Sequence, residues 1–388
     1  MRVLHVITGL NAGGAEHQLR LLLRGLPHDC EVATLSNPGP VAEAIRAGGT
    51  TVHELTMRHN HDLSVLPKLR RLMRDGRYDV VHTHLYRACL FGRVAARAAG
   101  VPTIVATEHS LGDRVIEGRR TTPGVRALYR ATERLGQATI AVSVAVAGRL
   151  AEWGVPEHRI AVVPNGIDAT EFAFDPRLRW AARARLGIPQ DALVIGGVGR
   201  LEPGKRFDRL IRAIAEVPDV TLLLVGHGPA RAALEQTAAV HDVGHRVVFA
   251  GAVGHAREML CAMDVFASPS DSETFGLAVL EALACGLPAL YAECPPLDEL
   301  TAPGAHAPPD TPGARRLTAY PEALPRTLRA ELACLSERRG RRLPVPDVVA
   351  RFDTGRLATS IGQLYERLAA RPQRRTTQTL VQIKGARG

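Results

Sequence analysis

Short apolar runs alternate with helix-like segments along the first part of the chain. The runs cover residues 3–8, 31–35, 51–55, 79–82, 103–107, 139–142 and 160–163, and each has the length of one strand. The first helical pattern, over residues 16–26, has an apolar face formed by Leu19, Leu22, Leu23 and Leu26. Strands that alternate with helices favour an α/β fold with a parallel, doubly wound sheet.

A second series of apolar runs follows, at residues 193–198, 221–225, 247–250, 265–267 and 289–291. Residues 165–189 lack this rhythm and are predicted to be a linker. Together with the length of 388 residues, this predicts two domains, over residues 1–168 and 190–350. Residues 352–368 have a helical pattern, and the basic, polar segment 371–388 is predicted to be disordered.

The cysteines indicate a reducing compartment, and the apolar runs contain neither a signal peptide nor a membrane span. The six cysteines form no C-x-x-C pair and no zinc spacing, so they are expected to be free, mostly buried thiols. The first apolar stretch is too short for the core of a signal peptide. No run approaches 18 apolar residues. We therefore expect a cytoplasmic protein.

The net charge of +10 is unevenly distributed. Residues 58–149 contain sixteen basic and seven acidic residues, and residues 371–388 add five basic residues and no acidic one. Because few aromatic residues are interleaved with this charge, nucleic acid is not expected as a partner. One predicted helix gathers Lys68, Arg70, Arg71, Arg74 and Arg77. Peripheral contact with an anionic membrane at its inner face and a merely solvated basic face both remain open.

Two glutamates eight positions apart, Glu273 and Glu281, form the most informative motif. A polar turn, Ser-Asp-Ser, precedes Glu273, and an apolar helix is predicted to begin there. Glu281 would lie two turns further along the helix, about 10–12 Å away. Free N–H groups at a helix start bind anions. Two carboxylates flanking such a site could bind hydroxyl groups on either side of a phosphate, as in a nucleotide sugar, although ordinary helix acids remain the alternative.

A second motif follows the strand at residues 193–198, where Gly199 begins a turn that contains Arg200 and Lys205. Diphosphates commonly bind at such strand-to-helix turns. The chain has only three lysines, and the compact ammonium of Lys205 suits a phosphate. The alternative is an ordinary surface lysine. A P-loop is disfavoured because Arg206 occupies the position of the Mg²⁺-binding Ser or Thr.

Over roughly residues 2–288 the chain resembles the family 4 retaining glycosyltransferases (glycosyltransferase group 1), which have two facing Rossmann-like domains. The resemblance depends on the two motifs above and on two further segments, Asn165-Gly166-Ile167-Asp168 and Gly13-Gly14-Ala15-Glu16. It weakens at residues 294–299, where Cys-Pro-Pro-Leu-Asp-Glu replaces the family's glycine pair. It also implies that the helix near residues 352–370 returns to pack on the first, acceptor-side domain.

The resemblance also implies roles for individual residues. Glu281 would bind the ribose and Glu273 the donor sugar, beside the backbone of Phe275, Gly276 and Leu277. Arg200 and Lys205 would neutralise the departing diphosphate, so that no metal and no other cofactor is needed. Gly13 and Gly14 would allow backbone to approach the phosphate or the acceptor across the cleft, with a structural turn as the alternative.

Three histidines lie at or just after the ends of predicted strands. His109 matches the cleft histidine of the family and would lie near the donor sugar. His82 and His84 alternate at the end of another strand and could resemble a metal pair. Without a third ligand at a sensible spacing, we expect them to pack and to form hydrogen bonds.

The resulting expectation is a metal-independent, retaining hexosyltransferase. It would transfer a hexosyl or N-acetylhexosaminyl group from a nucleotide sugar, with a UDP-sugar favoured, to a lipid-linked, polysaccharide or small-molecule acceptor. Loops at residues 56–64 and 110–123 would contact the acceptor. Polysaccharide biosynthesis is the expected process. A nucleotide-sugar epimerase and a non-catalytic nucleotide-sugar-binding subunit are the alternatives.

Overall fold

The computed structural model describes residues 1–111, 115–117, 119–300, 311–317, 323–337 and 341–370. All twelve predicted apolar runs form strands, and three short strands, β6, β7 and β15, were not predicted. In chain order the strands are β1 Arg2–Ile7, β2 Asp29–Thr34, β3 Val52–Glu54, β4 Val80–His84, β5 Thr103–Glu108, β6 Val115–Ile116, β7 Arg119–Arg120, β8 Ala138–Ala141, β9 Ile160–Val162, β10 Leu193–Val198, β11 Val220–Val225, β12 Val247–Gly251, β13 Val265–Ser268, β14 Ala289–Tyr291 and β15 Ala314–Arg316.

Helices fill most of the intervals between the strands. In chain order they are α1 Gly14–Gly25, α2 Gly39–Ala47, α3 Val65–Gly76, α4 Tyr86–Ala99, α5 Pro123–Glu133, α6 Val144–Glu152, α7 Pro176–Leu186, α8 Phe207–Ala215, α9 Arg231–Val240, α10 Arg257–Ala262, α11 Leu277–Ala284, α12 Pro295–Asp298, α13 Leu324–Glu337, α14 Asp347–Arg351 and α15 Thr354–Ala369. No helix within the described ranges is long and apolar enough to cross a membrane.

Both halves of the chain contain a parallel sheet of the same topology. The first sheet has the order β3-β2-β1-β4-β5-β8-β9, and the second has the order β12-β11-β10-β13-β14-β15. In each sheet, the first strand in chain order lies beside the fourth strand. The chain therefore builds one side of the sheet before its fourth strand and the other side from that strand on, and the reversal falls between β1 and β4 in the first sheet and between β10 and β13 in the second. Ligands of open α/β sheets bind outside the carboxyl ends of the strands at such a point.

The first sheet is buried on both faces, which is why its strands are apolar on both sides of the pleat. On one face Val3, Val80 and Val105 pack with the apolar side of α15. On the other face Leu4 and Val6 pack with residues of α3 and α4. The helix at the end of the described chain therefore completes the core of the first sheet. The segment predicted to be disordered, residues 371–388, lies outside the described residues.

The predicted linker is not wholly irregular, because it contains α7. The Asp175 side chain accepts a hydrogen bond from the Arg177 N–H and caps this helix, and Gly187 ends it in the left-handed region (φ 68°). Arg183 is fully buried and donates to Asp264, 2.8 Å away. The capping residues are visible in the sequence, and Leu178, Ala182 and Leu186 form a narrow apolar stripe that packs against the core cluster of α10, but the arginines between them obscure this stripe. Tertiary ion pairing stabilises α7.

Candidate functional site

Two segments that leave neighbouring strands of the second sheet form the centre of the site. One is the turn after β10, residues 199–206, and the other is the loop after β13, residues 269–276. The first turn lies very close to the turn after β11: a Cβ on Gly226 would be 1.9 Å from the carbonyl oxygen of Gly199. Glycine at position 226 is therefore required for this approach. Both segments lie at the reversal point between β10 and β13.

Lys205 and Glu273 meet at this point. The Lys205 Nζ lies 2.6 Å from the Glu273 Oε1, although the residues are 68 positions apart. Glu273 is 8% exposed, and the Lys205 side chain is 28% exposed. Arg200 is more open: its side chain is 57% exposed, and its Nε lies 3.2 Å from the Glu202 Oε1. The structure thus directs the lysine at one of the two predicted acids and leaves the arginine near the solvent.

Glu273 does not begin the helix, contrary to the prediction from the sequence. The helix α11 begins at Leu277, and Gly276 precedes it with φ 90°, a left-handed conformation that ends the loop. A Cβ on Gly276 would lie 2.9 Å from the Cys294 Sγ, so glycine is required here on two grounds. The Glu273 N–H donates to the Glu293 Oε2 at 3.0 Å. Glu273 therefore lies on a fixed loop beside the free amides of the helix.

The start of α1 faces the start of α11. A Cβ on Gly14 would lie 3.4 Å from the Leu277 Cδ1, which is ordinary contact distance. Each helix has a partial positive charge and unpaired N–H groups at this end. A narrow cleft between two such ends is suited to an anion.

Glu16, in the first turn of α1, belongs to a motif of the family but has no role predicted from the sequence. Its carboxylate folds back over Gly13, where a Cβ would be 2.4 Å from the Glu16 Oε2. Burial raises the pKa of Glu16 to about 7, and the nearby charge of Arg200 opposes this rise. The side chain therefore faces the second half of the chain across the cleft. Its position in the motif is the only signal available in the sequence.

Glu281 lies inside α11, one turn and a half beyond Gly276. Burial raises its pKa to about 7. Within the described parts of the chain, no hydrogen bond to its carboxylate is present. A carboxylate that loses water without gaining a protein donor is destabilised until a ligand supplies hydroxyl groups. Glu281 is therefore prepared to accept hydrogen bonds from a polyol.

His109 is held against the Glu273 loop by its backbone. The Thr274 Oγ1 donates to the His109 carbonyl oxygen at 2.8 Å, and the Ser143 Oγ donates to the Thr274 carbonyl oxygen at 2.7 Å. Both contacts join the two halves of the chain. Burial lowers the pKa of His109 to about 4, so its ring is neutral at physiological pH. Neither Thr274 nor Ser143 was recognised from the sequence.

The atypical segment at residues 294–299 also joins the two halves. It forms the short helix α12, and the Ala145 N–H donates to the Glu299 Oε1 at 3.0 Å. A cavity of about 400 Å³ lies beside it, lined by residues of the second half and, from the first half, by Ala145. Its lining is mostly acidic and polar and includes Ala145, Ser270, Asp271, Glu293, Asp298 and Arg316. The departure from the family pattern thus changes the wall of the cleft next to Glu273.

The expectation that His82 and His84 lack a third partner is wrong. His5 of β1 lies opposite His82 in the sheet register, and the three side chains hold nitrogen atoms within 4.8 Å of one another. The expected hydrogen bonds are present, since His82 contacts the Tyr365 hydroxyl and the Thr107 Oγ1, each at 2.6 Å. The histidine in the middle of the apolar strand β1 is the signal for the third member.

Two doubly wound sheets with this order form the fold of the glycosyltransferases that are built from two Rossmann-like domains. Solved structures support this fold. The structure of Anabaena HepE in complex with UDP and glucose superposes with a TM-score of 0.77 at 22% identity, over 94% of this chain and 99% of that chain. The sucrose-phosphate synthase of Thermosynechococcus elongatus gives a TM-score of 0.73 at 21% identity, over 95% and 99%. The predicted fold class is confirmed.

Sequence comparisons give the family. Residues 12–171 match the model of Glycosyltransferase Family 4, and residues 179–311 match that of Glycosyl transferases group 1. The chain is 33% identical over 332 residues to the D-inositol 3-phosphate glycosyltransferase of Acidothermus cellulolyticus. This match covers 73% of this chain and 70% of that protein. The corresponding enzyme of Mycobacteroides abscessus is 29% identical over 312 residues, or 73% and 69%. The chain belongs to the family 4, group 1 glycosyltransferases.

Proposed function

We propose that this glycosyltransferase is a retaining hexosyltransferase that uses a nucleotide sugar and needs no metal ion. The observation that carries the proposal is the 2.6 Å contact between the Lys205 ammonium and the Glu273 carboxylate, beside the free amides of α11. A cation and an anion so placed can exchange partners when a donor binds. Lys205 then turns to the diphosphate, and Glu273 accepts hydrogen bonds from the sugar.

The other residues extend this arrangement along the donor. The diphosphate would lie between the start of α11 and the side chains of Lys205 and Arg200. Glu281 would accept hydrogen bonds from the ribose, because its buried carboxylate gains donors there. The backbone at Gly13 and Gly14 would approach the phosphate from the opposite side of the cleft. Fixed charges and dipoles aimed at developing negative charge usually lower the barrier of such a reaction more than any other effect does.

The transfer would proceed on one face of the sugar. The bond between the anomeric carbon and the phosphate oxygen breaks, and its electron pair goes to the diphosphate. The acceptor oxygen bonds to the same carbon from the same face, and its proton passes to the departing phosphate oxygen. No side chain has to form a covalent intermediate. The contacts of Thr274 with His109 and of Ser143 with Thr274 would keep the cleft closed against water.

The comparisons favour UDP-sugars as donors, because HepE was solved with UDP and glucose. The relatives named above act on D-inositol 3-phosphate according to their names. We propose a hexosyl or N-acetylhexosaminyl donor and a lipid-linked, polysaccharide or small-molecule acceptor. Polysaccharide biosynthesis is the process that we propose for it.

A basic face on the first half supports a lipid-linked acceptor. The helices α3, α4 and α5 lie side by side, since α4 packs against both neighbours. Leu128 of α5 is 50% exposed on this face. The exposed basic residues of α3 and α5, including the residue that directly follows each helix, are Lys68, Arg70, Arg71, Arg74, Arg77, Arg126, Arg130 and Arg134. Near an anionic leaflet each is worth about 1 kcal/mol. We propose peripheral contact with the inner face of the membrane.

The membrane proposal is tested by sedimentation with lipid vesicles. Vesicles containing phosphatidylglycerol should retain the protein at low salt, and pure phosphatidylcholine vesicles should not. Replacing Arg70, Arg71 and Arg74 together with glutamine should weaken the retention strongly, because it removes three of the eight charges of the basic face. Equal binding to both vesicles, or no effect of the triple replacement, contradicts the proposal.

The catalytic proposal is tested in two steps. Thermal-shift measurements against UDP-, GDP- and ADP-sugars identify the donor, and NMR of the product then gives its anomeric configuration, which should match the donor. Transfer should persist in EDTA. Lys205→Ala should lower kcat by ~100-fold or more, whereas Arg46→Ala, which removes an exposed cation of α2 outside the basic face, should not change it. A loss below threefold for Lys205→Ala, an inverted product, or donor binding without any turnover would refute the proposal.

A further inference from the structure

Four histidines cluster along β1, β4 and β5: His5 and His82 lie opposite each other in the middle of β1 and β4, and His84 and His109 lie at the carboxyl ends of β4 and β5. His5 and His82 are completely buried, His84 is 1% exposed, and His109 lies at the edge of the cleft. Their rings are close: the centroids of His82 and His84 are 4.1 Å apart, and those of His84 and His109 are 5.5 Å apart. Buried imidazoles in such number need a chemical explanation, because each has a donor and an acceptor to satisfy.

Three of the four rings form a series. The His5 Nδ1 lies 3.1 Å from the His84 Nε2, and the His84 Nδ1 lies 3.2 Å from the His109 Nε2. His82 stands apart from this series, because hydroxyl groups occupy both of its nitrogens. Both nitrogens of His84 are also occupied, by His5 and His109. A histidine can bind a metal ion only through a free lone pair, and neither His82 nor His84 has one left. The cluster therefore does not need a metal ion. The series therefore runs from His5 through His84 to His109.

All three rings in the series are neutral. Burial lowers the pKa of His5 to about 3 and that of His109 to about 4, and it lowers the pKa of His84 well below its ordinary value. A neutral imidazole has one N–H group and one lone pair. Two hydrogen bonds in series must then point in the same direction, so only two arrangements exist. The hydrogen at the end of the series lies either on the His109 Nδ1 or on the His5 Nε2.

The surroundings of the two ends distinguish these arrangements. Both end nitrogens are buried and lack a hydrogen-bond partner within the described chain. His5 is enclosed in the sheet, so an N–H at its Nε2 would stay unpaired, at a cost of about 1–3 kcal/mol. His109 is only partly buried and its backbone contacts the Glu273 loop, so a ligand oxygen beside that loop is the acceptor that we expect for its Nδ1. An orphaned buried N–H is also rarer than an orphaned acceptor. The favoured arrangement places the hydrogen on the His109 Nδ1.

We propose that His84, backed by His5, is a positioning residue that fixes the tautomer of His109, so that its Nδ1–H donates to an oxygen of the transferred sugar. The proposal rests on the function proposed above, since it assumes that a sugar binds beside His109. It explains why an interior strand such as β1 carries a histidine. It also predicts that the ligand atom facing His109 is a hydrogen-bond acceptor, a hydroxyl or ether oxygen.

The first test observes the tautomer directly in the wild-type chain. The full-length protein is labelled with ¹⁵N-histidine, and long-range ¹H–¹⁵N spectra report which ring nitrogen of each histidine is protonated. The His109 signals are assigned by their loss in His109→Gln. We expect a protonated Nδ1 and a bare Nε2. A protonated Nε2 on His109, or zinc bound at one equivalent per chain, overturns the proposal without any variant of His84.

The second test compares three variants of His84. An asparagine amide nitrogen can occupy the place of the Nδ1, whereas a glutamine amide nitrogen occupies that of the Nε2. His84→Asn should therefore keep the Nδ1-protonated tautomer of His109, and His84→Gln and His84→Leu should give a mixture. In the transfer assay His84→Gln should lower kcat by about 10-fold, equivalent to one lost hydrogen bond, with unchanged affinity for UDP.

The two proposals can fail separately. An unaltered His109 tautomer in both His84→Gln and His84→Leu refutes the positioning role, even when the enzyme is fully active. Absence of transfer in the wild-type protein refutes the proposed function, whatever the spectra show. Equal losses of kcat in His84→Asn and His84→Gln would also count against the tautomer argument, because a purely structural defect does not distinguish the two amides.

Discussion

Replacing Glu281 with glutamine should separate the effect of this carboxylate on stability from its effect on donor binding. The Glu281 side chain is partly buried in α11, its carboxylate has no hydrogen-bond donor within the described residues, and loss of water raises its pKa to about 7. The raised pKa means that the folded chain favours the neutral acid. The corresponding stability is fully present below pH 4.5 and is lost as the pH rises through 7.

The magnitude follows from the pKa. One pKa unit is worth about 1.4 kcal/mol, so ionised Glu281 costs about 3 kcal/mol above pH 7. A glutamine amide carries no charge but still loses water, at about 1–2 kcal/mol. Glu281→Gln should thus stabilise the unliganded protein by about 1–2 kcal/mol at pH 8, and by little at pH 5. The unfolding midpoint should rise by about 2 °C at pH 8.

Donor binding should change in the opposite direction. Hydrogen bonds to a charged group contribute about 1.5–3 kcal/mol, so the variant should bind UDP-glucose about 10- to 100-fold more weakly. Wild-type affinity should fall as the pH drops below 7, because protonation of Glu281 weakens its acceptance of hydrogen bonds, and the variant should lose this part of the pH dependence. Calorimetry and thermal unfolding at pH 5.5 and 8 measure both effects.

The matched control is Glu43→Gln, which alters an exposed glutamate of α2. It should change neither the unfolding midpoint nor the affinity. If Glu281→Gln lowered the midpoint at pH 8 and left the affinity for UDP-glucose unchanged, the assignment of Glu281 as a buried, ligand-dependent carboxylate would be wrong.

Two further predictions concern the framework of the site. Gly276→Ala should weaken donor binding and cost about 1–3 kcal/mol of stability, because φ is 90° and the new Cβ would meet Cys294. The contrasting variant is Gly148→Ala, in the middle of α6 with open space around it. It should stabilise the protein by about 0.5–1 kcal/mol. Chemical denaturation of both variants checks the contrast, and equal effects would contradict it. Asp264→Ala should cost about 3–5 kcal/mol, since it leaves Arg183 buried without its carboxylate; a loss below 1 kcal/mol would show that the pair is not needed.

The strands could be predicted from the sequence because parallel sheets covered on both faces require apolar runs. Runs such as residues 193–198 and 221–225 satisfy this requirement and have no competing helical period. The helix α7 was missed for the opposite reason. Its apolar stripe is narrow and interrupted by arginines, and part of its stabilisation comes from the contact of Arg183 with Asp264, 81 positions away, about which a single helix pattern carries no information.

The residue types of the candidate site could be predicted, and their contacts could not. Strand ends in a doubly wound sheet place Lys205 and Glu273 at the same edge, which made both residues candidates. Their direct contact depends on the left-handed Gly276, which ends the loop before the helix and allows Glu273 to turn back. The role of His5 was hidden because a lone histidine in an apolar strand gains meaning only from its neighbours across the sheet.

The loop that bears Glu273 is attached to both halves of the chain, and this attachment couples donor binding to closure of the cleft. Thr274 contacts His109 and Ser143, which lie on the first half, while the Glu273 N–H is held by Glu293 of the second. Opening the cleft would break the first two contacts and leave the third. The loop would then lose the restraint that places Glu273 beside Lys205. A donor that binds the loop in its closed form stabilises the closed cleft, and the closed cleft in turn strengthens donor binding. The two effects are equal in free energy.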